Sequence, residues 1–154
     1  MQRILLASHG SVGACAAEQV VFTRLKPGDE LYHLLVVPDA WDGIPGGAGP
    51  NHYAPYEIIG GSVEAQMEEE ARQTFARVGE AVRQLGVVFE THLVYGKPVY
   101  SLLETVAAIS PDYVIAGSAR PKHIEGLPSK MITESLMRSM VIPLLIIPYP
   151  DERC

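Results

Sequence analysis

Short apolar runs and longer stretches of roughly 3.6-residue periodicity take turns along this chain, and that alternation is its strongest structural signal. Arg3–Ser8 is apolar almost throughout, as expected of a strand covered on both faces. Ser11 offers an N-cap to a helix over about Gly13 to Leu25, which Lys26-Pro27-Gly28 stops. Leu31–Val37 is a second buried strand, ended by Pro38. Ser62 can cap a long helix whose stripe is Val63, Met67, Ala71, Phe75, Val78, Val82 and Leu85, closed by Gly86. Val87–Tyr95 alternates, with Val87, Phe89, Thr91, Leu93 and Tyr95 on one face and Glu90 and His92 on the other, so it belongs at a sheet edge. Pro98 opens a helix to about Ser110, Asp112–Ala116 is a buried strand, and Ser129–Met140 is the last helix before a strand over Pro143–Ile147.

Strands that alternate with helices predict an α/β fold, a Rossmann-like doubly wound parallel sheet of five strands in the order 3-2-1-4-5. No internal repeat breaks the pattern, so residues 1–154 are expected to be one domain. One stretch does not fit a minimal α/β unit. Asp39 to Gly61 holds six of the fourteen glycines and three prolines, with His52, Trp41, Tyr53 and Tyr56 among them. It is expected to be a long loop, either a variable surface connection or a lid that uses its aromatic rings on a partner.

Composition narrows the function classes. A chain of 154 residues is long enough to bury roughly 70% of its unfolded surface in one core. Its net charge of −6 comes with no basic run, which argues against nucleic acid and anionic membranes as partners. No apolar run approaches the ~20 residues of a membrane span, and the apolar stretch after Met1-Gln2-Arg3 is too short for a signal peptide. Cys15 and Cys154 suggest neither a metal site nor a disulfide framework, which fits a cytoplasmic protein. His33, His52, His92 and His123 are scattered without metal-ligand spacing.

In an open parallel sheet, ligands sit beyond the carboxyl ends of the strands where the strand order reverses. That rule brings Ser8-His9-Gly10-Ser11 and Gly117-Ser118-Ala119-Arg120 to the same crevice. Two enzyme readings can be weighed there. His9-Gly10-Ser11-Val12-Gly13 is similar to a nucleophile elbow with Ser11 as nucleophile, as in a small hydrolase. The elbow needs a small residue where His9 stands, and no Asp/His pair completes a triad. A nucleotidyltransferase turn would need a second histidine where Ser11 stands.

Several segments together resemble the universal stress protein family over nearly the whole chain. Ile4-Leu5-Leu6-Ala7-Ser8-His9-Gly10-Ser11 is similar to that family's opening strand and turn, with His9 in place of an Asp. Leu34-Leu35-Val36-Val37 is similar to its second strand, where the resemblance lays Val36 against adenine. Tyr95-Gly96-Lys97-Pro98 resembles the turn before its third helix, and Thr133–Pro148 its closing helix and strand. The family's ATP-binding branch carries a Gly-x2-Gly-x9-Gly-(Ser/Thr) loop. Counted from Gly117, Arg120 and Lys130 replace the second and third glycines and Met131 replaces the hydroxyl residue.

Glycine suits a phosphate loop because its N–H approaches the anion with no Cβ in the way. The resemblance therefore implies weak or absent ATP binding and a non-enzymatic stress-response role through homodimerisation and partner contacts. The alternative is an adenine-nucleotide or anion site rebuilt with cations, using His9, Gly10, Val36, Gly117, Ser118, Arg120, Lys122 and Lys130. The family's dimer implies that Leu144, Leu145, Ile146 and Ile147 of the last strand form the subunit contact.

Overall fold

The computed structural model describes residues 1–8, 12–37, 53–118 and 134–148. The elements are β1 (Arg3–Ser8), α1 (Val12–Arg24), β2 (Glu30–Val37), α2 (Tyr53–Arg83), β3 (Val88–Tyr95), α3 (Pro98–Ile109), β4 (Tyr113–Gly117), α4 (Glu134–Ser139) and β5 (Leu144–Ile147). The strands form one five-stranded sheet in the order β3-β2-β1-β4-β5, every pair parallel, as the alternation predicts.

Period-two alternation of side chains along each strand explains the two cores. Leu5 and Ala7 point to one face, where Leu34, Val36, Val114 and Ala116 meet Leu102 and Val106 of α3 and Leu136 of α4. Ile4 and Leu6 point to the other, where Leu31 and Ile115 meet Ala17 and Val21 of α1 and Val78 and Val82 of α2. Each fully buried aliphatic side chain contributes about 1.5–3 kcal/mol relative to exposure. A strand covered on both faces has no wet side, so its sequence reads as a run rather than as an alternation.

The N-terminal ends of the strands are tied together by acidic side chains. Asp29 accepts from the backbone N–H groups of Gln2 and Lys26, both at 2.9 Å. The Gln2 bond first, and the Lys26 bond after it, hold the Asp29 carboxyl below its ordinary range against the opposing effect of burial. Asp112 accepts from the N–H of Arg3 at 2.7 Å, and the Arg3 guanidinium donates to Glu30 at 2.7 Å and to the carbonyl of Ile109 at 2.8 Å. Strand β1 is thus fastened to β2 and to the α3–β4 connection before any core packing is counted.

Helix α2 departs from the sequence expectation. It begins at Tyr53, whereas the expected loop extends to Gly61. Pro55 falls in its first turn, where a missing N–H costs no helical hydrogen bond. Gly60 and Gly61 lie inside the helix, each at a propensity cost of about 1 kcal/mol relative to alanine. The remainder of the expected loop lies outside the described residues. Cys15 on α1 is disulfide-bonded, which corrects the expectation of no disulfide framework.

Close helix packing depends on one glycine and one ion pair. A Cβ on Gly79 of α2 would stand 3.1 Å from the ring of Phe89 on β3, so glycine lets the helix sit down on that ring. Glu18 of α1, only 1% exposed, accepts two hydrogen bonds from the Arg77 guanidinium of α2, at 2.6 and 3.1 Å. Arg77→Met is expected to lower unfolding stability by about 1–3 kcal/mol, because it leaves the buried Glu18 carboxylate without its partner. The double change Glu18→Met/Arg77→Met should cost less than Arg77→Met alone. Chemical denaturation of the three proteins checks the order.

Candidate functional site at the sheet switch point

Between β1 and β4 the chain reverses its direction of progress across the sheet. The connection leaving β1 runs through α1, on the face that α1 and α2 share. The connection entering β4 runs through α3, on the opposite face. At such a reversal an open α/β sheet usually places its ligand crevice, beyond the carboxyl ends of the strands. Ser8 ends β1 and Gly117 ends β4 at this rim, with Ala7 and Ala116 paired one residue below.

Of the residues the sequence nominates, Val36, Gly117 and Ser118 are described. Val36 is 4% exposed and packs on the α3/α4 face with Ala7 and Ala116. Gly117 is buried and pairs with Ile147, and the Ser118 N–H donates to the Ile147 carbonyl at 2.8 Å. That N–H is consequently committed to the β4–β5 ladder. His9, Gly10, Ser11, Arg120, Lys122, Lys130 and Met131 lie outside the described residues.

Helix length shapes the rim. A 31-residue helix spans about 46 Å, while an eight-residue strand such as β3 spans about 26 Å. Because α2 ends only a few residues before β3, its surplus length extends past the carboxyl ends of the strands. Side-chain contacts agree, since the Tyr95 hydroxyl at the end of β3 donates to Glu68, fifteen residues before the end of α2. The turns of α2 before Glu68 therefore extend beyond the carboxyl end of β3.

Sequence reasoning missed one polar pair. Ser8 and His33 are both fully buried, and Ser8 Oγ lies 2.9 Å from His33 Nε2. Their strand positions bring them onto the α1/α2 face, where the Phe75 ring meets the imidazole edge-to-face at 5.0 Å and Phe89 lies 6.4 Å away. Burial, and secondarily the Arg77 charge, push the His33 pKa down to about 3, so the ring is neutral at pH 7. The available signal was a histidine inside the apolar run Leu31–Val37, beside a first strand whose last residue is its only hydroxyl. A second concavity, about 320 Å³ between Phe75, Gly79 and Phe89, opens beside the first half of β3, away from the crevice. Among the described residues no cluster of His, Cys, Asp or Glu could hold a metal ion.

An open parallel sheet with helices on both faces and a crevice at the β1/β4 reversal defines a Rossmann-like α/β protein. The sequence profile of the universal stress protein family matches residues 1–148, and the chain belongs to that family. No curated protein matches it. Solved structures share the fold at low identity. Hypothetical protein MJ0577 superposes with a TM-score of 0.73 at 19% identity, over 98% of both chains. A universal stress protein family protein from Arabidopsis thaliana with AMP bound gives 0.62 at 11%, over 98% of this chain and 94% of that one. A universal stress protein in complex with cAMP gives 0.59 at 18%, over 97% and 98%.

The turn that leads from β3 into α3 gives a direct test of the rim. Gly96 has φ +144°, a conformation that side-chain-bearing residues rarely adopt, and its N–H donates to the Val37 carbonyl at 3.0 Å. Its nearest neighbour for an added Cβ is Ser101 Oγ at 3.6 Å, so the obstacle is conformational rather than steric. Gly96→Ala is expected to lower stability by about 1–3 kcal/mol, read by thermal or urea unfolding.

Proposed function

We propose that this chain is a non-enzymatic stress-response domain that acts as a homodimer joined through β5, makes its partner contacts in that form, and binds ATP weakly or not at all. The observation that carries the proposal is the state of β5. Leu144, Leu145, Ile146 and Ile147 are all half-buried, one side of the strand pairs with β4, and no described strand lies on its other side. Such an apolar edge is a template for another strand. Two copies meeting across a two-fold axis bury both edges in one isologous contact, which closes at a dimer.

Weak ATP binding is supported by the sequence pattern. Arg120, Lys130 and Met131 stand where the family's binding branch has two glycines and a hydroxyl, and His9 stands where it has an Asp. A lack of hydrolase activity is supported by the sequence, in which His9 stands where a nucleophile elbow at Ser11 needs a small residue. The same proposal treats residues 1–154 as a single domain, in keeping with the span of the family match.

The second reading is an adenine-nucleotide or other anion site in the same crevice. It is favoured by the AMP and cAMP held by structural neighbours and by the cations Arg120, Lys122 and Lys130. A guanidinium or ammonium can hold an anion by charge-assisted hydrogen bonds without a glycine loop. Under this reading Arg120→Ala and Lys130→Ala each weaken AMP binding.

Two measurements test the proposal. Light scattering is expected to give close to twice the 16.7 kDa chain mass, with Leu145→Lys or Ile146→Lys shifting it toward monomer because the pairing face cannot bury an unpaired ammonium. A wild-type monomer, or dimers indifferent to both changes, would place the contact elsewhere. Calorimetry with Mg-ATP is expected to give a Kd above about 10 µM, weaker than about −7 kcal/mol. A tighter constant favours the second reading.

A further inference from the structure

We propose that His33 is an acid-sensitive positioning residue that locks the end of β1, at the rim of the crevice, to helix α2. The geometry assigns both ends of the lock. Ser8, the last residue of β1, has its hydroxyl 2.9 Å from His33 Nε2. The imidazole meets Phe75 of α2 edge-to-face at 5.0 Å, beneath a helix that continues past the strand ends. One ring therefore touches both the end of β1 at the switch point and a helix packed over β2 and β3.

Only the neutral ring fits this enclosure. A neutral imidazole carries one N–H, and the Ser8 hydroxyl can rotate to accept from Nε2 or donate to it. Protonation places an N–H on both nitrogens. Nδ1 is buried and has no hydrogen-bond partner among the described residues, and the rings of Phe75 and Phe89 lie against the imidazole. An imidazolium would thus bury an unpaired donor and a charge. The charged groups on the packed elements do not offset this. Arg77 of α2 repels a positive ring, and Glu18 of α1 spends both carboxylate oxygens on Arg77. Among the described residues, β1 sets the uncharged Leu6 and Ser8 beside the ring, and β3 sets Thr91 at the paired position and Phe89.

The sign follows from where the proton binds. In the closed protein burial keeps the His33 pKa near 3, whereas a ring released from the lock titrates at the ordinary 6.5. Stability supplied by the neutral ring is complete above pH 6.5 and is lost as pH falls toward 3, because open states take up a proton that the closed state refuses. Acid therefore populates a state in which Phe75 has left the ring and Ser8 has lost its partner.

Amide hydrogen exchange, corrected for the intrinsic pH dependence, tests this on the intact protein. From pH 7 to pH 5 the opening of α2 around Phe75–Val82 should rise about 25-fold, with the Ser8 end of β1 opening in step. His33→Gln should flatten that rise while leaving the Arg77–Glu18 pair in place. Ser8→Ala, which keeps the ring, should retain the acid response of α2 but uncouple it from β1. Imidazole NMR of the wild type should show a neutral ring through pH 5. A ring that titrates near 6.5 with α2 still protected overturns the proposal, and so does an acid response of equal size in His33→Gln.

Discussion

Strand β1 is the constraint on which the rest of the molecule depends. It is hydrogen-bonded on both sides, to β2 and β4, and covered on both faces. Every residue from Ile4 to Ser8 is fully buried. A strand in that position can carry only apolar side chains or polar ones with a partner. Five of its six residues need nothing more than packing or, for Arg3 at the entrance, the carboxylate of Glu30. Ser8 is the exception, and it sits where the chain leaves the sheet for the crevice. Its hydroxyl fixes where a second polar group must be buried, and His33 is that group.

From this centre the architecture follows outward. A parallel central pair requires crossovers, and right-handed crossovers place α1 and α2 on one face and α3 and α4 on the other. The reversal between β1 and β4 then fixes the crevice, whatever the chemistry of its loops. The outermost strands meet the remaining difficulty of an exposed edge in different ways. Strand β3 carries Glu90 and His92 and stays half-wet, while β5 is short, uniformly apolar and set between Pro143 and Pro148. Charge protects the first edge. Pairing with a second copy would protect the other.

The sheet was legible because its signals are collective. Five runs of the right length, each bounded by Gly, Pro or a helix cap, leave few topologies open, and the family pattern in Tyr95–Pro98 and Thr133–Pro148 agrees with them. The start of α2 was not legible, because Gly60-Gly61-Ser62 has the local chemistry of a helix boundary. Local propensity of about 1 kcal/mol per glycine is small beside the packing gained by the Ala71–Val82 stripe, so the helix runs through them. The Ser8–His33 pair escaped because its partners are 25 residues apart and meet only once the register is known. The crevice itself was legible as a place but not as a chemistry. Val36 and Gly117 are where the strands put them, and the cations Arg120, Lys122 and Lys130 lie outside the described residues.

The direct measurement is of what the purified protein carries. On the proposed reading, in which Arg120 and Lys130 stand where the family's ATP-binding branch has glycines and Met131 where it has a hydroxyl residue, the protein should hold no adenine nucleotide through purification. Denaturing the protein and analysing the released small molecules by mass spectrometry should then yield no ATP, ADP or AMP above the level of a mock preparation. Recovery of any of these at close to one molecule per chain would contradict the account, and would make the crevice a nucleotide site rebuilt around cations.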